Sequence, residues 1–472
     1  MARTTRFYLN GKIHEADIRP DTTVLEWLRG NARLTGTKEG CAEGDCGACS
    51  ILIGDVDGGA VRYHAANSCI LVMGQIDGRA LVTIEGLKGE ALHPIQEAMA
   101  ENGSSQCGFC TPGIVMSLAG LAASADHADD EAIHDALAGN LCRCTGYRPI
   151  VEAARKVIHD GGTGIPGPES TALKALKAQR LVASSDAIFH QPTTLRQLLE
   201  LRRKRPDAVL LAGGTDLGVA LADYHAEWSE VISTAHVREL RSIRETRTNI
   251  RFGAAVTWEE ILAKVAPLYP SFATLIRRFG STQIRSMGTV GGNIGTASPI
   301  GDGPPALIAL AAEIELASLD GVRSMPLEAF FLDYRKTELR PDEVVSAVTI
   351  PKPAPGQEFR VYKVSKRYDQ DISTVCAAFS VRLDDNGFIR HARIAFGGMA
   401  ATPQRAEGAE FMLIGNRLDE AAAKACGEAI AGHFKPLTDW RGSSAYRSEV
   451  AANLVERFRR DVAGETVEVM AL

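Results

Sequence analysis

Alternating apolar and polar positions open the chain. Residues 6–13 and 16–19 read as two short strands around Asn10-Gly11, a pair suited to the positive φ values of a type I′ hairpin turn. From Thr22 to Arg29 the apolar positions Val24, Leu25 and Leu28 shift to helical spacing, with Thr22 or Thr23 placed as the cap. A strand at 50–53, a turn at Asp57-Gly58-Gly59 and a further strand leading to Cys69 follow. This order predicts a small ferredoxin-like α+β domain over 1–86. From His93 the period is helical, through Ile95, Met99, Ile114, Val115, Leu118 and Leu121. Residues 87–160 therefore read as a helical domain, with one helix ending near Leu141.

The stretch 161–185 begins Gly-Gly-Thr-Gly-Ile-Pro-Gly-Pro and reads as a linker without regular structure. Beyond it the pattern is mixed α/β over 186–355. The last region, 356–472, predicts strands at 374–383 and 389–396, then helices over 408–433 and 443–460. The segment 363–372 is rich in both charges and reads as a solvated connection between apolar strands.

Composition changes this picture little. With 472 residues the chain has length for two to four domains. Its net charge of −6 provides no basic field for nucleic acid or an anionic membrane. The apolar run from Ala306 is broken by Glu313 and Glu315, so no membrane span is expected. The N-terminus runs into strand-like sequence without an apolar signal region, and a reducing, cytoplasmic setting is expected.

Cysteine placement changes it a great deal. Eight of the ten cysteines lie between 41 and 144. Cys41, Cys46 and Cys49 have C-x4-C-x2-C spacing among Gly40, Gly44 and Gly47, and Cys69 follows. Cys107/Cys110 and Cys142/Cys144 form a second set of four. Disulfides, zinc and iron–sulfur clusters are the competing readings. The spacing of the first set is that of plant-type [2Fe–2S] ferredoxins, and two such clusters use all eight thiolates. Zinc ribbons place their pairs about 15–20 residues apart, far closer than Cys49 and Cys107. Pro112, just after Cys110, places that pair at a helix start, and Cys142/Cys144 are expected at the end of the helix that closes near Leu141.

Two glycine-rich stretches lie in the α/β region. Leu210-Leu211-Ala212-Gly213-Gly214-Thr215-Asp216-Leu217-Gly218 follows an apolar strand, and residues 288–303 hold six glycines. Each alone reads equally well as a turn. Together, rich in N–H donors, they point to a phosphate-bearing cofactor. Neither has the G-x-G-x-x-G pattern of a Rossmann dinucleotide site.

The motifs T-K-E-G-C-x-E-G-D-C-G-A-C at 37–49, Q-C-G-F-C-T-P-G at 106–113, G-N-L-C-R-C-T-G-Y at 139–147, A-G-G-T-D at 212–216, G-G-N-I at 291–294, Tyr334-Arg335-Lys336-Thr337 and K-R-x-D-Q-D-I-S at 366–373 resemble the molybdenum hydroxylase (xanthine oxidase) family. Within it they resemble the iron–sulfur/flavin small subunit of bacterial xanthine dehydrogenases. The resemblance implies a multidomain α+β chain. Its parts would be a plant-type ferredoxin (β-grasp-like) domain, a helical 2Fe–2S domain, a two-part α/β FAD domain of vanillyl-alcohol-oxidase type and an α+β C-terminal flavoprotein domain. It further implies two 2Fe–2S clusters, on Cys41, Cys46, Cys49 and Cys69 and on Cys107, Cys110, Cys142 and Cys144. FAD is implied at Leu210, Leu211, Ala212, Gly213, Gly214, Thr215, Asp216 and Leu217 along the pyrophosphate. Phe279, Thr289, Gly292, Asn293 and Asp302 would complete the pocket, with Lys363 and Val345 toward the ring ends.

The family's molybdopterin module is absent from these 472 residues. The resemblance therefore implies a large molybdopterin-binding partner in an (αβ)2 assembly. The expected function is to carry electrons from that partner, as it oxidises hypoxanthine or xanthine to urate, to NAD+. NAD+ is expected near Tyr334 and the 366–371 loop, and no residue of this chain is expected as an acid or base for the hydroxylation. Alternatives are the equivalent subunit for aldehydes, nicotinate or an aromatic thioester, a partner-free NADH-linked iron–sulfur flavoprotein, or a zinc-stabilised interaction module.

Overall fold

The structure is a computed structural model that describes residues 4–89, 91–124, 129–159, 163–176 and 179–465. The chain forms two compact units, one of residues 1–237 with 280–288 and the other of 238–279 with 289–472.

The first unit begins with a five-stranded sheet in the order Lys12–Ala16, Thr5–Leu9, Ala80–Val82, Ser50–Asp57, Ala60–Asn67. Thr5–Leu9 runs parallel to Ala80–Val82 and antiparallel to Lys12–Ala16. Asn10 and Gly11 both have positive φ, 50° and 83°, as a two-residue type I′ turn requires. Such a turn returns the chain at once, so Leu9 pairs with Lys12. The second strand thus lies at Lys12–Ala16 rather than the expected 16–19. Helix Val24–Gly30, capped by Thr23 through the Glu26 amide, buries Val24, Trp27 and Leu28 against Phe7, Ile51, Ile53 and Leu81.

Four helices follow, Pro94–Glu101, Thr111–Ser124, Asp130–Leu137 and Arg148–His159. Thr111–Ser124 is apolar on almost every face, and Ile114, Val115, Met116, Leu118 and Ala119 are all buried. A helix without a polar face needs cover all round, and here the sheet and the other helices supply it. The helix expected to end near Leu141 ends at Leu137. Ala138-Gly139-Asn140 turns the chain out of it, and the Leu141 amide is used elsewhere.

The expected linker is only partly irregular. Gly161 and Gly162 lie outside the described residues. Ser170–Leu176 is a helix whose Leu173 and Leu176 are buried with Ala80 against Tyr8, Val56, Val61 and Tyr63. Leu181–Ala183 is a strand. The glycines and prolines end by Pro168, and two leucines three apart then suffice to dock one amphipathic turn. The unit closes with a second sheet, Leu181–Ala183, Ile188–His190, Glu230–Ser233, Val209–Leu211, whose last three strands are parallel.

The second unit contains an antiparallel sheet in the order Ile243–Glu245, Asn249–Gly253, Val344–Pro351, Glu313–Ser318, Gly321–Pro326. It also contains another of Gln357–Val364, Val375–Leu383, Ile389–Gly397 and Gln404–Arg405. The latter packs on Glu407–Leu413, Glu420–His433 and Ser444–Val462, with Phe379 stacked on Phe458 at 5.1 Å. The helices expected over 408–433 are Glu407–Leu413 and Glu420–His433. Gly415 at φ 85° separates them, and Asp419 caps the second through the Ala422 amide. Among the described residues no helix is long and apolar enough to cross a membrane.

Candidate functional site

The first thiol set lies on the loop between helix Val24–Gly30 and strand Ser50–Asp57. Ala42, Gly44 and Gly47 have φ of 59°, 82° and 67°, which curls the backbone so that amides face sulfur. Asp45 N donates to Cys41 Sγ at 3.2 Å, Glu43 N to the same sulfur at 3.5 Å, and Cys41 N to Cys46 Sγ at 3.3 Å. The Cys46 thiol chiefly, with these amides, holds the Cys41 thiol down at about 5. Cys49 and Cys69 are buried, and their sulfurs are 3.3 Å apart.

The strand register places Ser50 opposite Asn67, which brings Cys49 and Cys69 together although they are twenty residues apart in sequence. A disulfide needs about 2.05 Å, and all ten cysteines are free. The sequence reading missed Asn67. This 3%-exposed side chain donates to Gly44 O at 2.7 Å and accepts weakly from Cys49 Sγ, and so braces the loop. A polar residue at the end of an apolar strand was its only signal.

In the second set, Cys107 and Cys110 directly precede helix Thr111–Ser124, as expected. Ile114 N donates to Cys110 O at 3.1 Å, which makes Cys110 the residue that opens the helix. Cys142 and Cys144 come after the end of Asp130–Leu137, though not directly at it. They precede the start of Arg148–His159, where the Cys142 amide donates to Tyr147 Oη at 2.7 Å and Cys142 Sγ lies 3.1 Å from Thr145 Oγ1. The Phe109 amide first, then the Cys144 thiol, lowers the Cys107 thiol. Burial first, then the neighbouring Cys142 thiol, pushes the Cys110 thiol up to about 12. Cys107 and Cys144 are exposed, so this set is at the surface while the first is half buried.

Both sets are thus gathered as two thiol pairs. Among the described residues no three His, Cys, Asp or Glu side chains converge as for a single ion. A lone zinc needs its sulfurs about 3.8 Å from one another, given Zn–S bonds of about 2.3 Å. Pairs of thiolates suit two tetrahedral irons bridged by sulfide. The donor chemistry and the amides turned toward sulfur fit a [2Fe–2S] cluster in each set.

The two loops touch. Leu141 N, next to Cys142, donates to Cys46 O at 3.0 Å, and Asn140 Nδ2 donates to Gly47 O at 3.1 Å. A Cβ on Gly47 would stand 2.1 Å from Gly139 O, and one on Gly113 2.1 Å from Gly47 O. Only bare Cα atoms allow this approach.

The glycine-rich stretches fall in different units. In the first, Leu210 and Leu211 end strand Val209–Leu211, Ala212 to Asp216 form the turn, and Leu217 opens helix Leu217–Tyr224. Leu211 is a core side chain with Phe189 and Trp228. Ala212, Gly213, Gly214 and Thr215 are half-buried, and Asp216 is exposed. A Cβ on Gly213 would lie 1.9 Å from Met287 O. A strand-to-helix turn of this kind presents amides to an anion.

In the second unit, Thr289 caps helix Val290–Gly295 through the Gly292 amide at 3.1 Å. Asn293 has a buried Oδ1 that accepts no hydrogen bond among the described residues, a polar atom suited to a ligand donor. Asp302 is buried, and its carboxylate accepts from Lys363 Nζ and from Ser373 Oγ, each at 2.6 Å. The sequence reading named Asp302 and Lys363 but not Ser373. Phe279 packs edge-on to Trp258 at 4.9 Å, and Val345 is buried opposite Leu316 in the sheet. Tyr334 is exposed. In the 366–371 loop, Lys366 is bonded to Trp440 O and Tyr368 is stacked under Arg278.

Four family models match along the chain. They are described as a 2Fe-2S iron-sulfur cluster binding domain (residues 7–73), a [2Fe-2S] binding domain (83–155), an FAD binding domain in molybdopterin dehydrogenase (182–353) and a CO dehydrogenase flavoprotein C-terminal domain (360–462). Xanthine dehydrogenase of Drosophila subobscura is 34% identical over 95% of this chain and 38% of its own length. Xanthine dehydrogenase/oxidase of Gallus gallus is 34% identical over 84% of this chain and 35% of its own. The chain therefore spans a little over a third of the length of these relatives. Among solved structures, a carbon monoxide dehydrogenase chain from Hydrogenophaga pseudoflava matches with a TM-score of 0.56 and 28% identity, over 59% of this chain and 98% of its own. Quinoline 2-oxidoreductase from Pseudomonas putida 86 matches with a TM-score of 0.54 and 27% identity, over 59% and 98%. With two iron–sulfur domains followed by two flavoprotein domains, the chain belongs to the molybdenum hydroxylase family, of which it carries the iron–sulfur/FAD electron-transfer module.

Proposed function

We propose that this chain carries electrons from a molybdopterin-binding partner, which oxidises hypoxanthine or xanthine, to NAD+. The contact between the two thiol loops supports this reading most directly. A chain that only stored cofactors would have no need to bring Cys46 O within hydrogen-bond distance of the residue next to Cys142. In the overall reaction a purine C–H becomes C–OH with water as the oxygen source, and NAD+ takes up two electrons and one proton as NADH.

Cys41, Cys46, Cys49 and Cys69 hold one cluster, and Cys107, Cys110, Cys142 and Cys144 the other. The more exposed second set faces the partner, and the half-buried first set is better shielded from water. FAD, when bound, converts single electrons into hydride transfer. The amides of the Leu210–Leu217 turn bind its pyrophosphate. In the second unit, Thr289 and Asp302 order the segment that carries Gly292 and Asn293. Sequence relatives that align along 84–95% of the chain are xanthine dehydrogenases, which supports a purine over carbon monoxide or quinoline. An (αβ)2 assembly in a reducing compartment completes the reading.

The complex purified from its native host should form NADH rapidly with xanthine as the sole reductant. A complex containing iron, flavin and molybdenum but inert to xanthine, hypoxanthine and NAD+ would overturn the purine reading. Substituting Gly213→Val should displace the 212–216 turn, because Met287 O leaves no room for a side chain. Flavin content should fall at least about tenfold while both clusters remain, the clusters serving as the folding control. Full flavin occupancy in that variant would remove this turn from the proposed site.

A further inference from the structure

We infer that Gln283 is a positioning residue that sets the contact between the two thiolate loops, and so the electronic coupling between the clusters they hold. The inference rests on the reading that both sets hold clusters. Gln283 lies far along the chain from every cysteine of either set, within the segment 280–288 that packs in the first unit. Its side chain is 1% exposed. Its Nε2 reaches three acceptors: Ser50 Oγ at 3.2 Å, Ser117 Oγ at 2.9 Å and Asn140 Oδ1 at 3.0 Å.

The orientation of that amide is set by its neighbours. Ser50 Oγ donates to Gly47 O at 2.8 Å and Ser117 Oγ donates to Gly113 O at 3.2 Å. Both hydroxyl protons are therefore engaged, and their lone pairs face Gln283. Asn140 donates through Nδ2 to Gly47 O at 3.1 Å, which turns its Oδ1 toward Gln283. One NH2 group thus ties the first residue after Cys49, the helix after Cys110 and the residue two before Cys142. Its Oε1 lies over Gly139, where a Cβ would be only 2.2 Å away. That oxygen accepts no hydrogen bond among the described residues, so the side chain is held through its NH2 group, in a network that converges on the Gly47 carbonyl, beside Cys46.

The segment is itself anchored on both sides. Fully buried Arg285 bonds to Asp135 Oδ2 at 2.6 Å, on the helix that leads into the 138–147 loop. Ser286 Oγ donates to Ala65 O at 2.8 Å, on the strand that leads to Cys69. Gln283 therefore has no freedom to follow one loop if the other shifts. Without it, three acceptors lose their donor. Asn140 then keeps only its bond to Gly47 O, and the Leu141 N–Cys46 O bridge loses part of its support.

The test uses the full complex with both clusters reduced by dithionite. It reads the spin–spin splitting between them in low-temperature electron paramagnetic resonance, and hydrogen exchange of the Leu141 amide by mass spectrometry. In Gln283→Leu, iron and acid-labile sulfide should stay at wild-type levels. The splitting should narrow measurably, and Leu141 should exchange about tenfold faster. Both clusters present with wild-type splitting and wild-type exchange would overturn the proposal. Should Gln283→Leu lose a cluster, Asn140→Ala decides by the same two readouts. It keeps Gln283 but removes both the Nδ2 donor to Gly47 O and the Oδ1 acceptor of Gln283 Nε2, the link between Gln283 and the second loop. Neither readout uses substrate or NAD+, so failure of the purine reading leaves this result standing.

Discussion

Replacing Cys142 by serine should remove one cluster and leave the other, reducing iron from about four per chain to about two. Cys142 belongs to a surface set in which Cys107 and Cys144 are already exposed to water. A serine oxygen at that position is a harder ligand than a thiolate and its hydroxyl is far less acidic than a thiol. The first set is held separately, by the Gly40–Cys49 loop and the Ser50/Asn67 register. Its resonance signal should persist, and so should bound FAD. Xanthine-dependent NADH formation should fall by at least about a hundredfold, because the one-electron path is cut. Two distinct cluster signals in the purified variant would show that Cys142 is not a ligand.

The second large effect is expected at Lys363. Its ammonium and the Asp302 carboxylate are 2%- and 5%-exposed and meet at 2.6 Å. Among the described residues, Ser373 supplies the other side-chain hydrogen bond to that carboxylate. Removing the cation in Lys363→Met leaves a buried charge with one hydroxyl for compensation. Breaking a buried pair from one side costs about 3–5 kcal/mol. For a unit of this size that corresponds to a fall in Tm on the order of 10 °C. The double substitution Lys363→Met/Asp302→Leu should recover much of that loss, because it buries no charge. A single variant that melts with the wild type would show that the pair contributes nothing net. Thermal unfolding of both variants, followed by circular dichroism, makes the comparison.

Local signals carried most of the fold. Asn10-Gly11 marked the hairpin because two successive positive φ values exclude almost every other pair. The apolar period marked the helices at 94–101 and 111–124. Boundaries were less legible. A strand period predicts a face but not where a two-residue turn returns, so 16–19 was read for Lys12–Ala16. Leu141 continued an apolar pattern, yet the helix stops at Leu137 because the Leu141 amide bonds to Cys46 O instead of the helix backbone. Glycine and proline at 161–168 masked the short helix behind them. Ser373 and Asn67 look like ordinary polar residues in sequence, and only their burial beside a carboxylate and a thiol loop singles them out.

The sequence by itself determined the number and type of the metal-binding groups. Thiols at C-x4-C-x2-C spacing, with glycines between them, are constrained by local chain geometry, and local geometry is written in neighbouring residues. It also marked the two glycine-rich stretches that are proposed to face a phosphate. Only the tertiary structure decided how Cys49 meets Cys69, that one set is more buried than the other, and that Asp302 takes Lys363 as its partner. It alone placed Gln283 between two loops that lie more than a hundred residues before it. Such contacts arise where separate elements are pressed together by a shared core. Their geometry depends on the packing of the whole unit, which no short window of sequence contains.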